Sequence, residues 1–310
     1  MTGFVQPPLV AGVELGGTKC ICTLGRGPGA IDKQLTLPTS DPDTTLAAIS
    51  DQLDRWQADA GFAALGIGSF GPIDLDCNSP RYGAIQTTSK SGWSGISVRD
   101  RIAGSLDVPI GFDTDVNVAA LAELRWGAGR NAAALAYVTV GTGIGVGLTR
   151  PPSGRHAELG HVRIARQAGD TRISVCPYHD DCAEGLASGP AIAAAFGSVS
   201  PGSAPLDHPE WVKTIGYLGQ LCHVIICAGG VDRILFGGGV IMGNPTIVPA
   251  IEAAMRASLN GYLDLPGDRA LIAPAGLGAQ AGPLGSLALA QDAAARSAKK
   301  PYPERRPVRV

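Results

Sequence analysis

Three side chains that bind soft metals lie within one short stretch, Cys176, His179 and Cys182 of CPYHDDC. Two thiols and an imidazole make three corners of the tetrahedron a structural zinc ion takes, and His161 or His156 stands near enough in the chain to be the fourth. Two buried thiols beside an unrelated histidine is the other reading of the same residues. A second group is built of glycine. Gly16, Gly17 and Thr18 interrupt two β-prone runs, VAGVEL and TKCICTL, and Gly141, Thr142 and Gly143 interrupt another pair, LAYVTV and IGVGLT. Bare glycine turns let backbone N–H groups approach phosphate oxygens, and a threonine adds a hydroxyl donor. Either turn alone also fits an ordinary hairpin, but two of them in successive halves suit a clamp on a polyanion. No G-x-x-x-x-G-K-[ST] loop occurs, and GTGIGVG opens no helix behind it, so neither a Walker loop nor a dinucleotide fingerprint is present. Asp113, Asp115 and Asn117 form a third group at a strand-to-helix junction, where an Asp serves as a general base or as a helix N-cap.

The elements that must position these groups alternate. Pro42 onward reads as a helix capped by Ser40 or Asp41, with Leu46, Ile49, Leu53 and Trp56 at helical spacing. Residues 62–70 and 108–113 read as buried strands, the second leading into a helix over 116–126. After the hairpin at 135–149 come an apolar helix near 211–228, strands at 233–238 and 270–275, and a last helix from about Gln280. The final residues, with Lys299, Lys300, Arg305, Arg306 and Arg309 among prolines, read as a basic solvated tail over 299–310.

Composition narrows the function. With 310 residues, 45% of them hydrophobic, the chain can bury one large core or two intimate lobes. A net charge of -2, from 25 basic and 27 acidic side chains, gives no electrostatic case for nucleic acid or an anionic membrane as partner. No signal-peptide pattern and no apolar run near the roughly 18 residues of a membrane span is read, and seven cysteines, an odd number, point to reduced thiols. A cytoplasmic protein with a small-molecule site is expected.

GVELGGTK, GSFGP, DTDVN, GTGIGVG, HAELGH, CPYHDDCAEGLASGPAI and FGGGV occur in this order, and together they resemble the ROK sugar kinases, most closely the bacterial zinc-containing fructokinase branch, over about residues 10–292. The resemblance implies an α/β actin-like, or ribonuclease H-like, ATPase fold with two lobes around an interlobe cleft. It divides the chain into a smaller lobe, 1–114 plus 283–298, and a larger lobe, 115–282, that carries the zinc loop. It implies ATP, Mg²⁺, structural Zn²⁺, a hexose substrate and a homodimer. Within it Asp115 matches the catalytic base. Glu14 holds Mg²⁺ through water, and Gly16, Gly17, Thr18, Lys19, Thr142, Gly143, Pro190, Gly237, Gly238 and Gly239 face ATP. Gly71, Pro72, Lys90, Trp93, Thr114, Glu158, His161 and Glu184 face the sugar, while His161, Cys176, His179 and Cys182 bind zinc.

Substrate choice follows from two departures. Glucokinases of the family carry Asn before the catalytic Asp, where this chain has Thr114, and TTSKSGW resembles the fructokinase TPKxGW pattern with Lys90 and Trp93 kept. Both point to phosphorylation of D-fructose at its C6 hydroxyl, with a glucokinase or glucomannokinase as the same-class alternative. LTRPPSGR, at 148–155, is shorter than the family's usual hairpin there. Sugar-sensing ROK repressors carry an N-terminal helix-turn-helix domain. Only about ten residues precede the first hairpin, so a kinase is expected.

Overall fold

The computed structural model describes residues 6–149, 156–267 and 269–299. Residues 300–310 of the expected tail and most of the shortened loop lie outside them, and Lys299, read as the first residue of that tail, instead ends the last helix. Two sheets form the frame. In the first, β1 (Val10–Leu15), β2 (Lys19–Gly27) and β3 (Ala30–Pro38) pair antiparallel, and β4 (Leu65–Ser69) and β5 (Ile110–Thr114) add in parallel, giving the order β3-β2-β1-β4-β5. The second repeats the scheme: β6 (Leu135–Val140) and β7 (Ile144–Leu148) are antiparallel, and β8 (Arg233–Gly237) and β9 (Ile272–Pro274) follow in parallel, in the order β7-β6-β8-β9.

The helices follow from their caps and apolar stripes. α1 (Pro42–Asp59) starts where the Asp41 carboxylate accepts the Thr44 N–H at 2.9 Å, and it buries Leu46, Ile49, Leu53 and Trp56. A short α2 (Val98–Ala103) covers the same sheet. α3 (Asp115–Trp126) is capped by the Thr114 hydroxyl, which accepts the Asn117 N–H. The second lobe adds α4 (Ala183–Ala187), α5 (Gly189–Phe196), α6 (Pro209–Gly229), α7 (Gly239–Gly243) and α8 (Val248–Leu259). Among the described residues α6 alone is long and apolar enough, by length and composition, to cross a membrane, a property the sequence reading did not credit to it. It packs against α8 and buries Trp211, Leu218, Leu221 and Ile225 in the core, as an interior helix does.

The last helix, α9 (Ala281–Lys299), is buried on every side over residues 281–290. It lies on the first sheet because glycine occupies three adjacent strands where it crosses. A Cβ on Gly66 would stand 2.0 Å from the Ser286 carbonyl oxygen, one on Gly12 2.8 Å from Ser286 Cβ, and one on Gly111 2.6 Å from Leu289 Cγ. α3 fills the other side of α9 and also touches β6 and β7, so its first turn stands between the two sheets.

Candidate active site

A cavity of about 430 Å³ opens between the sheets. Glu14 at the end of β1, Lys19 at the start of β2 and Asp115 at the start of α3 line it together with Gly238 and Gly239. Gly238, Gly239 and Met242 stand on the β8–α7 side, and Gly278 and Ala279 on the loop leading into α9. Gly238 has φ +84°, and a Cβ there would stand 2.4 Å from the Val140 carbonyl oxygen, so only glycine fits.

The two carboxylates are tuned by this enclosure. Burial, with the neighbouring charge of Glu14 adding to it, pushes Asp115 up to about 7. Glu14 is also pushed up to about 7 by burial, against the pull of Lys19. A carboxyl that releases its proton near neutrality is matched to taking one from a hydroxyl. Asp113, the neighbour that could be confused with Asp115, is committed elsewhere: its Oδ1 accepts Asn117 Nδ2–H and the Thr114 N–H, both at 2.7 Å.

The glycine turns are held by specific contacts. Gly16 N–H donates to the Lys19 carbonyl at 3.0 Å, and Thr39 Oγ1–H donates to the Gly16 carbonyl. Gly17 and Thr18 are exposed at the tip. Lys90 Nζ donates to the Gly17 carbonyl at 2.7 Å, which ties the 87–93 segment to this turn. Around the second turn, Glu184 Oε2 accepts the Ile144 N–H at 3.0 Å, and a Cβ on Gly143 would stand 2.5 Å from it. Gly189 N–H donates to the Gly141 carbonyl, and Pro190 follows, exposed, in the first turn of α5. Gly237 is packed against the Tyr137 hydroxyl, behind the cavity wall.

A second cluster adjoins the cleft. Glu158 Oε1 lies 3.1 Å from His156 Nδ1, and a Cβ on Gly71 would stand 3.2 Å from the same oxygen, which places the carboxylate beside Gly71 and Pro72. Burial works to raise Glu158, but the His156 hydrogen bond and the charges of His156 and His161 outweigh it and hold the carboxyl below its usual range. His161 Nε2 points toward Glu184 Oε1 at 3.7 Å, while its Nδ1 faces Cys176 Sγ at 3.6 Å and Cys182 Sγ at 3.8 Å. Cys176 Sγ lies 3.6 Å from His179 Nδ1, and the four donor atoms fall within 4.8 Å of one another. Tetrahedral Zn–S and Zn–N bonds put sulfur and nitrogen about 3.5 Å apart, so the donor set fits such an ion. His161, not His156, completes it.

Two sugar-site expectations need correction. Trp93 has no exposed surface: its Nε1–H donates to the Ser40 carbonyl, and its ring meets Phe70 edge-on at 5.1 Å, so it supports the Lys90 segment from within the core. Thr114 is 3% exposed, and its hydroxyl is turned to the N-terminus of α3 as a cap. The sequence reading missed Tyr137 and Met242 among the lining residues and Gly282, where a Cβ would stand 2.2 Å from the Glu14 carboxyl. The small-residue run AGPLGSLALA was the available signal for the last.

The ROK family model matches residues 10–293, which span both sheets and the cleft. The chain belongs to the ROK family. Among ROK relatives, a fructokinase of Pediococcus pentosaceus is 38% identical over 289 residues, covering 92% of this chain and 98% of its own. A fructokinase of Zymomonas mobilis is 35% identical, covering 90% and 95%. The solved structure of a ROK hexokinase from Thermus thermophilus superimposes with a TM-score of 0.72 at 26% identity, covering 91% of this chain and 97% of that one. That of a ROK glucokinase from Streptomyces griseus, in complex with glucose and AMPPNP, gives a TM-score of 0.72 at 23% identity, covering 92% and 99%. The fold is therefore the actin-like ATPase fold.

Proposed function

We propose that this protein is an ATP-dependent fructokinase, transferring the γ-phosphoryl group of ATP to the C6 hydroxyl of D-fructose to give fructose 6-phosphate and ADP. The observation that carries the reading is Asp115, raised to about 7 at the floor of a cleft it shares with Glu14, Lys19 and the Gly238–Gly239 turn. The fructokinases of Pediococcus pentosaceus and Zymomonas mobilis, matched over nearly their whole length, direct the choice among hexoses.

In this reading the O6–phosphorus bond forms as the bond from phosphorus to the ADP oxygen breaks, and the O6 proton passes to Asp115. Phosphoryl transfer asks the protein chiefly to position and neutralise. Lys19, the N–H groups of Gly17 and Thr18 at the first turn and of Thr142 and Gly143 at the second, and the exposed N-terminal turn of α5 at Pro190 surround the phosphates. Gly238, Gly239, Met242 and Gly278 take the adenosine. Glu158, Glu184, the free edge of His161 and the Gly71–Pro72 backbone read the hydroxyls, and a hydroxyl left unmatched in such a pocket costs about 1–3 kcal/mol. Mg²⁺ bound with ATP would be held by Glu14 through water and would offset charge on the transferring phosphoryl. Zn²⁺ would be held by His161, Cys176, His179 and Cys182, pinning the loop beside Glu184. In this reading the enzyme works in the cytoplasm, where thiols stay reduced and free to bind the metal.

A coupled ADP-release assay with Mg-ATP and fructose, mannose or glucose, with the product's phosphate position identified, tests the reading. Fructose 6-phosphate formed with the highest kcat/KM is expected. Preference for glucose overturns the choice of sugar, and silence on every hexose overturns the kinase. Cys176→Ser is expected to lower bound zinc and melting temperature together; full loading at unchanged stability removes the zinc site.

A further inference from the structure

Glu123 is fully buried, eight residues after Asp115 on the same helix, and nothing in the phosphoryl-transfer scheme uses it. Its carboxylate takes three backbone N–H groups. Oε2 accepts from Ala128 at 2.8 Å and from Gly276 at 3.1 Å, and Oε1 accepts from Leu277 at 2.7 Å. Ala128 lies just beyond the end of α3, whereas Gly276 and Leu277 belong to the loop after β9. The surroundings are cut to fit: a Cβ on Gly127 would stand 2.0 Å from Glu123 Oε2, and one on Gly276 2.9 Å from the Ala128 nitrogen. The same loop continues through Gly278 and Ala279, which line the cavity, and enters α9 at Ala281, with Gly282 packed against the Glu14 carboxyl.

We propose that Glu123 is a positioning residue for the nucleotide: it fastens the 276–279 loop to the helix whose first residue is Asp115. Eight residues of α-helix span about 12 Å, so one rigid rod sets both the carboxylate on the floor of the cleft and the wall against which the nucleotide lies. The proposal rests on the kinase reading for its substrates, but the loop's geometry bears on any nucleotide in the cavity. Glutamine is the diagnostic replacement. It keeps the size and turns one acceptor oxygen into an NH₂ group facing an amide N–H, so two donors meet and the loop must move away.

Glu123→Gln is therefore expected to raise KM for Mg-ATP and Kd for ADP by about tenfold or more, the scale of one lost charged hydrogen bond, while KM for fructose stays within about twofold. Gly276→Ala keeps the carboxylate but places a Cβ 2.9 Å from the Ala128 nitrogen and 3.5 Å from Glu123 Oε2, pushing the loop off the same anchor, and is expected to give the same selective rise. ADP binding by calorimetry is measured alongside. A folded Glu123→Gln with unchanged ADP affinity, or with both substrates' KM values raised in parallel, overturns the proposal. If Glu123→Gln does not fold, Gly276→Ala decides: unchanged ADP affinity there overturns it too. A wild-type protein that binds ADP but phosphorylates no hexose overturns the kinase reading instead, and the ADP arm still decides the role of Glu123.

Discussion

Two groups of acidic side chains in this protein differ in what faces them. In the cleft, burial pushes both Glu14 and Asp115 up to about 7, the charge of Glu14 adds to the rise at Asp115, and Lys19 is the cation that pulls Glu14 down. In the second lobe, Asp170 is 1% exposed, yet burial is outweighed and its carboxyl stays below the usual range. It accepts from the Tyr217 hydroxyl and lies 3.6 Å from Lys213 Nζ and 3.9 Å from an Arg172 nitrogen. Glu210 meets both cations at 2.7 Å and is likewise held low. Arg172 also donates to the Leu186 carbonyl, anchoring the 163–182 segment that carries three of the four thiol and imidazole donors. One set of carboxylates is spent on holding a loop in place; the other is left with its charge unmet until a ligand arrives.

The sharpest way to break the contrast is Asp115→Asn, expected to lower kcat by about 10²–10⁴ with fructose binding near normal. Unchanged turnover in steady-state assays sinks the assignment of the base. Next comes Arg172→Leu. Removing one cation from a buried, doubly paired site leaves Asp170 and Glu210 short of a partner and is expected to cost about 3 kcal/mol in denaturant unfolding, with kcat per folded molecule little changed. A variant as stable as wild type removes the anchoring role. The smallest effect separates the two sets by pH. Asp115 titrates near 7 when folded and near 3.9 when unfolded, so between those values the folded state binds more protons and stability falls as pH rises. Relative to Asp115→Asn, wild-type ligand-free protein is expected to lose up to about 1.4 kcal/mol per pH unit across this window. Melting curves at pH 5 and pH 8 with equal spacing between the two proteins sink it.

Much of the cleft was legible because its residues are constrained by local backbone as well as by chemistry. Asp115 sits at a strand-to-helix junction, and the turns at Gly16–Gly17 and Gly141–Gly143 interrupt alternating apolar runs. β3 escaped because an edge strand exposes most of its residues, so AIDKQLTLP carries little alternation. α8 was overlooked although Ile251, Met255 and Leu259 recur every four residues and are all buried. Trp93 was misplaced because a fully buried aromatic and a ring stacked on a sugar look alike in sequence. Glu123 and Arg172 were illegible for a deeper reason: their partners at Leu277 and Glu210 lie 154 and 38 residues away, and a lone charge reads as a surface residue until the fold brings its partner to it.

The glycines at 12, 66 and 111 also govern the order in which the molecule can be completed. They leave a shallow trough across β1, β4 and β5 that α9 fills, through contacts such as Ser286 Oγ–H with the Val13 carbonyl, 273 residues apart in the chain. A ribosome that has delivered every strand of the first sheet still holds that sheet with one apolar face open to water, and more than half of the chain remains to be made before its cover emerges. The lobe translated first is thus the one that matures last, and contacts this distant in sequence place it among the slow steps of folding.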